Sequence, residues 1–431
     1  MFKNELNTSD KDFDSDLSNF IDNRGTFERE VVTKVAEIIS EVERKGDQAL
    51  ISLTKELDRH QIEDFFISDN EIDACVKNVE KEVLSALEFA CKNIIDYHSS
   101  CRDSLHLELS ESQIHRKFRP IKSVLMYVPG GKASYPSSVL MAAGPAIACN
   151  INDLYLTTPC IGGDLNNLTI AAAKIAGIRK IAKLGGAQAI AAFALGTESI
   201  PEVDKIVGPG NSYVTEAKRQ LFGRVGIDGI AGPSEILVLA DETSCPETVA
   251  WDLMAQAEHD EEASSILLCS SEKVIQEIKA IIDSQIDRLE RSEIIRSALK
   301  ENGLIIKIDS LDQSLRLINI LAPEHLHIAF ANNNKIDTSQ VVAGIILEGP
   351  DSAVSLSDYV LGPSHILPTN SSSRFSSPLS VEDFMVSSSH VSLKYETNPD
   401  LYIKYVENTS IIARAEGLTA HAISVEKRKK V

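Results

Sequence analysis

The chain has 431 residues, 25% of them charged and 43% hydrophobic, and a formal net charge of −20. That length is too great for one ordinary core, so a soluble globular protein of two or more domains is expected. The acidic balance excludes a nucleic-acid binder, because neutralising phosphates takes clustered Lys and Arg, and the one basic run is the terminal Lys427-Arg428-Lys429-Lys430.

The N-terminal text MFKNELNTSDKDFDSDLSNF is acidic and polar, without the basic and apolar regions of a secretory signal. No apolar run is long enough for a transmembrane helix, so no membrane partner is expected. The cysteines (Cys75, Cys91, Cys101, Cys149, Cys160, Cys245 and Cys269) are scattered and never spaced C-x-x-C. They fit reduced, packed thiols of a cytoplasmic protein.

A polar leader comes first. From Thr26 to Lys55, Val31, Val35, Ile38, Ile39 and Val42 recur at helical spacing, and a second helical stretch runs from Glu71 to Tyr97. From Ile121 short β-branched runs alternate with helical ones. Strands are predicted at 123–128, 153–157, 178–184 and 203–207, with helices at 138–148, 165–176, 187–195 and 212–222. A second series predicts strands near 235–240, 265–269, 304–308, 326–330 and 343–347. Such alternation implies parallel sheets with right-handed crossovers, here two similar α/β domains with a crevice between them. The boundaries expected are an N-terminal segment 1–24, a discontinuous first domain (25–122 and 236–378), a second domain (123–235) and a C-terminal segment (379–431). The last is too small to hold a core alone.

Gly-rich turns follow several strands of the first series: Pro129-Gly-Gly131, Gly185-Gly186 and Gly208-Pro-Gly-Asn211. Ligands of open parallel sheets bind at the carboxyl ends of strands, so these turns line the expected pocket. The G-x-G-x-x-G fingerprint is absent; Gly208 to Tyr213 has its first two glycines only.

The stretch from Trp251 to Asp260 is an apolar helix pattern ending in polar groups. On a helix Gln256 and His259 fall on nearly one face, where one ion can touch both. An amide oxygen with an imidazole nitrogen suits zinc or a neighbouring divalent metal. The plainer alternative is a helix C-terminus with polar residues in its last turn.

Together these segments resemble the histidinol dehydrogenase family. The matching text is YVPGGKASYPSSVLM (127–141), GGAQAIAAFALGTE (185–198), VDKIVGPGNSYVTEAKRQ (203–220), GIDGIAGPSEILVLAD (226–241), DLMAQAEHD (252–260), APEHL (322–326), the stretch from Asp358-Tyr359 to Ser364-His-Ile-Leu-Pro368, and AEGLTAHAISV (415–425). The resemblance implies a cytoplasmic homodimer with two incomplete Rossmann-like domains and exchanged terminal segments, so that active sites are shared. It implies NAD and one Zn2+ per subunit, and the four-electron oxidation of L-histidinol to L-histidine through histidinaldehyde and its hydrate, the last step of histidine biosynthesis. Carried over by motif, the metal ligands are Gln256, His259, Asp358 and His421, and the catalytic pair is Glu324 and His325. NAD contacts fall on Tyr127, Gln188 and Asn211. Substrate contacts fall on Ser234 and Glu416, besides the metal ligands and His325.

The chain departs from the family pattern at Ser357, where most members carry Gly, which limits the backbone if φ is positive there. His327 in E-H-L-H is a second oddity, read as a solvated residue or a neighbour of the site rather than a ligand.

Two oxidations at one carbon require that something add to the aldehyde before a second hydride can leave. A cysteine nucleophile is one route and water is the other. Cys149 and Cys160 lie near the expected pocket, yet neither has a base beside it in sequence. Glu324 and His325 offer the water route: the imidazole takes the alcohol proton and the carboxylate activates water. Competing readings are a zinc hydrolase acting on a small cationic metabolite, in which the same ligands activate water directly, and a metabolite-binding protein without turnover.

Overall fold

The computed structural model describes residues 2–22, 29–105, 114–130, 134–331 and 336–429. It divides into two compact units, the first of residues 1–102 and 120–384, the second of 103–119 and 385–431.

The chain begins with β1 (Asn4–Asn7), α1 (Phe13–Asp22), α2 (Arg29–Lys45), α3 (Asp47–Leu57), α4 (Asp69–Lys77) and α5 (Lys81–Leu105). What the sequence presented as a polar leader is therefore an edge strand and a helix. β1 pairs in parallel with a much later strand, and α1 buries only Phe13 and Leu17, too sparse an apolar signal to stand out. The predicted helix over 26–55 is broken at Gly46, whose φ of 54° turns the chain between α2 and α3. The run predicted over 71–97 is α4 and α5, and a Ser68–Glu71 capping box starts the former.

After β2 (Ile114–Pro120) comes the first alternating series: β3 (Ser123–Tyr127), α6 (Pro136–Ala148), β4 (Asp153–Thr157), α7 (Asn167–Ile175), β5 (Lys180–Ala182), α8 (Gly186–Leu195), β6 (Lys205–Val207), α9 (Ser212–Leu221) and β7 (Gly226–Ile227). The second series is β8 (Glu235–Ala240), α10 (Pro246–Ala257), β9 (Ser264–Cys269), α11 (Glu272–Gln285), α12 (Ser292–Glu301), β10 (Leu304–Lys307), α13 (Ser314–Leu321), β11 (His325–Ile328), β12 (Ile345–Glu348) and α14 (Val354–Tyr359). The chain closes with β13 (Met385–Val391), α15 (Pro399–Ala415) and α16 (Thr419–Glu426).

The two series make two parallel sheets, ordered β5-β4-β3-β6-β7 and β1-β10-β9-β8-β11-β12. β8 (EILVLA) and β9 (SSILLC) are buried along their whole length, as strands covered by helices on both faces must be. In the five-stranded sheet, and in the six-stranded sheet once β1 is set aside as an edge strand, the path starts at an inner strand, grows outward on one side, then crosses back to grow on the other. The reversal falls between β3 and β6 in one sheet and between β8 and β11 in the other, as in dinucleotide-binding folds.

Helices cover each sheet. Val35 and Leu50 of α2 and α3, with Phe193 of α8 and Val214 of α9, form one core with Leu125 and Ile206 of the five-stranded sheet. The stretch 25–122 thus places α2 and α3 on that sheet, whereas the sequence grouped it with 236–378. The six-stranded sheet lies between α10, α11 and α12, through Leu253, Ile278 and Leu299, and α1 and α13, through Phe13, Leu17, Leu317 and Leu321. Among the described residues no helix is long and apolar enough to cross a membrane.

The second unit consists of the paired strands β2 and β13 and the packed helices α15 and α16. Val406, Ala413 and Ala422 are buried in its helices, while Val391 (60%), Ile411 (66%) and Ile412 (58%) stand exposed. Its apolar surface exceeds what so small a core can cover.

Candidate active site

Two sheet edges supply the candidate residues of the first unit. The Gly-rich turns leave the carboxyl ends of the five-stranded sheet, where Tyr127 closes β3, Gly186 begins α8 and Asn211 caps α9. The six-stranded sheet contributes its amino-terminal edge instead: Ser234 immediately precedes β8, and Glu324 and His325 stand at the start of β11. Ala322, left-handed at φ 41°, ends α13, and Pro323 then leads directly into the pair.

His325 is 4% and Glu324 6% exposed. The His325 Nδ1–H donates to the Glu235 carbonyl at 3.0 Å, which fixes the ring and turns Nε2 toward Asp358 Oδ1, 3.2 Å away. Glu324 Oε2 accepts from the Glu235 N–H at 2.7 Å and lies 3.5 Å from His325 Nδ1. Burial opposes a charge on His325, but the Glu324 carboxylate and the Asp358 bond outweigh it and hold the imidazole well above its usual pKa. Asp358 shows the reverse balance: burial raises its carboxyl, while His325, His365 and His259 together bring it below the ordinary value.

Asp358 is carried on α14, which packs against α10. Ser357 lies in that helix with right-handed backbone, so the limit that a positive φ would impose does not arise there; its Oγ bonds the Val354 carbonyl at 2.8 Å.

α10 ends at Ala257. Gln256 is therefore in its last turn, 2% exposed, whereas His259 lies past the helix end and is exposed. Gln256 Nε2 is buried without a hydrogen-bond partner, unlike most buried amides. Among the described residues no three His, Cys, Asp or Glu side chains converge as a metal cluster. Glu416, the C-cap of α15, and His421, on α16, belong to the second unit and are exposed.

On the other edge, the Tyr127 hydroxyl accepts from Gly186 N–H at 3.1 Å, and burial pushes its pKa up to about 12. Gln188, on the first turn of α8, is 1% exposed and its Oε1 has no partner. Asn211 Oδ1 accepts from Val214 N–H at 3.1 Å, so part of its role is to start α9.

His365 was quoted from the sequence only as part of a motif, yet it joins the cluster. Its Nδ1–H donates to the Asp358 carbonyl at 2.9 Å, and Nε2 lies 3.2 Å from Ser138 Oγ on α6. Burial holds its pKa below the usual value, which leaves Nε2 as the acceptor for the serine hydroxyl. The solvated alternative for His327 is corrected: it is 1% exposed and bonded to Asp252 and Gly349. Residues i and i+2 of a strand share a face, so His327 lies beneath the site beside His325.

The cysteines offer no nucleophile at this place. Burial pushes both Cys149 and Cys160 up to about 12, and neither bonds a base.

Comparison with known proteins bears on this geometry. The family model for histidinol dehydrogenase matches residues 22–429. The chain is 44% identical over 410 residues to the histidinol dehydrogenase of Clostridium acetobutylicum, covering 94% of each, and 38% identical over 431 residues to that of Neisseria meningitidis serogroup B, covering 99% of this chain and 100% of that protein. The crystal structure of histidinol dehydrogenase from Elizabethkingia anophelis superposes with a TM-score of 0.91 at 33% identity, over 99% of this chain and 98% of the other.

Proposed function

The chain belongs to the histidinol dehydrogenase family and has its oxidoreductase activity; on that premise we propose that it takes L-histidinol to L-histidine with NAD as hydride acceptor and one zinc ion per subunit. The observation that carries this reading is the buried cluster in which His325 Nε2 meets Asp358 Oδ1 at 3.2 Å, with Glu324 held 3.5 Å from the same ring. The hydrolase alternative is not favoured by these likenesses.

The residues fit zinc. Gln256 is 2% exposed and no group in the structure holds its amide nitrogen, so the amide is free to present its oxygen to an ion, and amide oxygen, imidazole and carboxylate are donors such an ion takes. Gln256, His259 and Asp358 would hold it from the first unit, with His421 as the fourth donor. When bound, zinc orients the substrate through its nitrogens and NAD accepts hydride. Tyr127, Gln188 and Asn211 would hold the dinucleotide at the carboxyl edge of the five-stranded sheet. Ser234 and Glu416 would contact the amino alcohol, and Glu416 adds negative charge for its ammonium.

The remaining chemistry belongs to two side chains. In the first oxidation the alcohol O–H gives its proton to His325 Nε2 as the carbon loses hydride, leaving histidinaldehyde. Glu324 then takes a proton from water as the oxygen adds to the aldehyde carbon, and His325 returns its proton to the carbonyl oxygen, giving the gem-diol and a neutral imidazole; Glu324 passes its proton to solvent. The diol carbon loses the second hydride and His325 receives the second hydroxyl proton, leaving the carboxylic acid. For each of these transfers the imidazole must be neutral, so the Asp358 carboxylate that holds its proton has to be drawn elsewhere. As a zinc ligand, Asp358 would be.

The exposed apolar residues of the second unit support a homodimer whose terminal segments are exchanged, so that Glu416 and His421 serve the partner's site. The free thiols support a cytoplasmic setting for this last step of histidine biosynthesis.

The test is Glu324→Gln assayed separately on histidinol and on histidinaldehyde. Aldehyde oxidation is expected to fall by about a hundredfold or more and alcohol oxidation far less. Equal loss on both would refute the division of labour.

A further inference from the structure

One buried ion pair beneath the cofactor edge takes no part in the chemistry above. Lys218, in the second turn of α9, is 3% exposed by side chain and pairs with Asp228, 7% exposed, which directly follows β7. Between them they hold both polar groups of a single glycine. The Gly208 N–H donates to Asp228 Oδ2 at 2.7 Å, and the Gly208 carbonyl accepts from Lys218 Nζ at 3.1 Å. Asp228 Oδ1 also accepts from the Gly229 N–H at 2.8 Å.

Gly208 opens the turn from β6 to Asn211. Its φ of 111° belongs to glycine, and a Cβ there would stand 2.1 Å from the Tyr127 carbonyl oxygen. The turn is therefore pressed against the end of β3. Tyr127 in turn reaches Gly186 through its hydroxyl. One ion pair thus fixes Gly208, Gly208 fixes its distance from Tyr127, and Tyr127 touches the start of α8. These positions lie at the carboxyl ends of β3, β6 and β5, and the first two flank the strand reversal of the five-stranded sheet.

A pair of this kind adds little stability over apolar residues of similar volume, because taking both charges out of water offsets their attraction. It does select one backbone shape. A glycine turn left to itself has several conformations open, and charge-assisted hydrogen bonds to both its N–H and its carbonyl leave one. A ligand that meets a preformed turn loses no affinity to ordering it.

We propose that Lys218 and Asp228 are positioning residues for the dinucleotide, acting through Gly208 rather than by touching it. The proposal rests on the reading that NAD binds at this edge, and it adds two residues to which that reading assigned nothing. The experiment compares Lys218→Met, the charge-neutral double variant Lys218→Met/Asp228→Asn, and Gln188→Ala. Measured on each zinc-loaded protein are the NAD Kd by calorimetry, the histidinol KM at saturating NAD, zinc content and far-UV circular dichroism. Lys218→Met strands a buried carboxylate and can unfold the chain; the double variant strands none and decides the matter if it does.

The expected result is a folded double variant with unchanged zinc content and histidinol KM, and an NAD Kd weakened by about tenfold or more. An NAD Kd within about twofold of the parent, while Gln188→Ala loses affinity, overturns the proposal and leaves the cofactor reading intact. Unchanged NAD affinity in Gln188→Ala as well overturns both. A double variant that loses zinc and histidinol affinity along with NAD shows a general structural role, and this too overturns the proposal.

Discussion

His327 Nδ1 lies 2.7 Å from Asp252 Oδ2, and its Nε2 lies 3.0 Å from the Gly349 carbonyl oxygen. A carbonyl only accepts, so one ring N–H goes to Gly349 and the other nitrogen shares a proton with the carboxylate. The pair ties β11, two residues beyond His325, to α10, one turn before Gln256. The two helix and strand positions that carry the proposed chemistry are thereby held together by one buried imidazole.

Removing that imidazole leaves a buried carboxylate alone. His327→Leu is expected to cost about 3–5 kcal/mol in urea unfolding, and His327→Leu/Asp252→Leu clearly less. Burial lowers the His327 pKa, but Asp252 and Gly349 outweigh it and raise the value above 6.5. The sign follows: this stabilisation is complete below pH 6.5 and is lost as pH rises through the folded value. Unfolding curves of parent and double variant that keep a constant separation on alkalinisation would contradict the pairing.

His98 predicts the opposite pH response. It is 1% exposed on α5, both ring nitrogens lack partners, and burial lowers its pKa to about 4 although Glu382 pulls it upward. Tyr97 packs edge-on against the ring at 5.0 Å. The folded state therefore refuses a proton that the unfolded chain takes up. Relative to His98→Leu, the parent should lose up to about 3 kcal/mol of stability as pH falls from about 6.5 to about 4. Parallel stability profiles for the two proteins over that range would count against a neutral buried imidazole.

The thiols should be dispensable. Cys149 and Cys160 are pushed up to about 12 and Cys269 to about 11 by burial, whereas Cys245 is exposed and lowered by the backbone N–H groups of Thr248 and Glu247. Iodoacetamide at neutral pH is expected to label Cys245 first and to leave turnover unchanged. Loss of activity matched to labelling of Cys149 or Cys160, read by peptide mass, would restore the thiohemiacetal route.

Much of the α/β frame was legible because buried parallel strands are short apolar runs between helical stretches. β4 and β8 coincide with their predicted bounds, and β3, β6 and β9 differ at one end only. β1 was not legible: Asn4–Asn7 has a single apolar side chain, and its place is set by pairing with β10. Nor was the packing of α2 and α3 on the five-stranded sheet, since periodicity shows which face is buried and never against what. Glu324, His325 and Asp358 came from family motifs, whereas helical spacing had already marked Gln256 with His259; that Glu324, His325 and Asp358 meet is a structural finding, through the contacts of His325 with both carboxylates. His365 with Ser138, and His327 with Asp252, could not be found from spacing, because each partner lies far off in sequence and the pairing depends on the tertiary fold.

The central claim is that one ion presents the amino alcohol to His325 and Glu324 while NAD takes two hydrides. It is tested most directly by following zinc content and NADH absorbance on one preparation as purified, after chelation and after zinc is returned. The account predicts one zinc per chain, two NADH for each histidinol consumed, abolished turnover with far-UV circular dichroism largely intact after chelation, and recovery on reloading. A zinc-free protein that still forms NADH from histidinol at the full rate would contradict it.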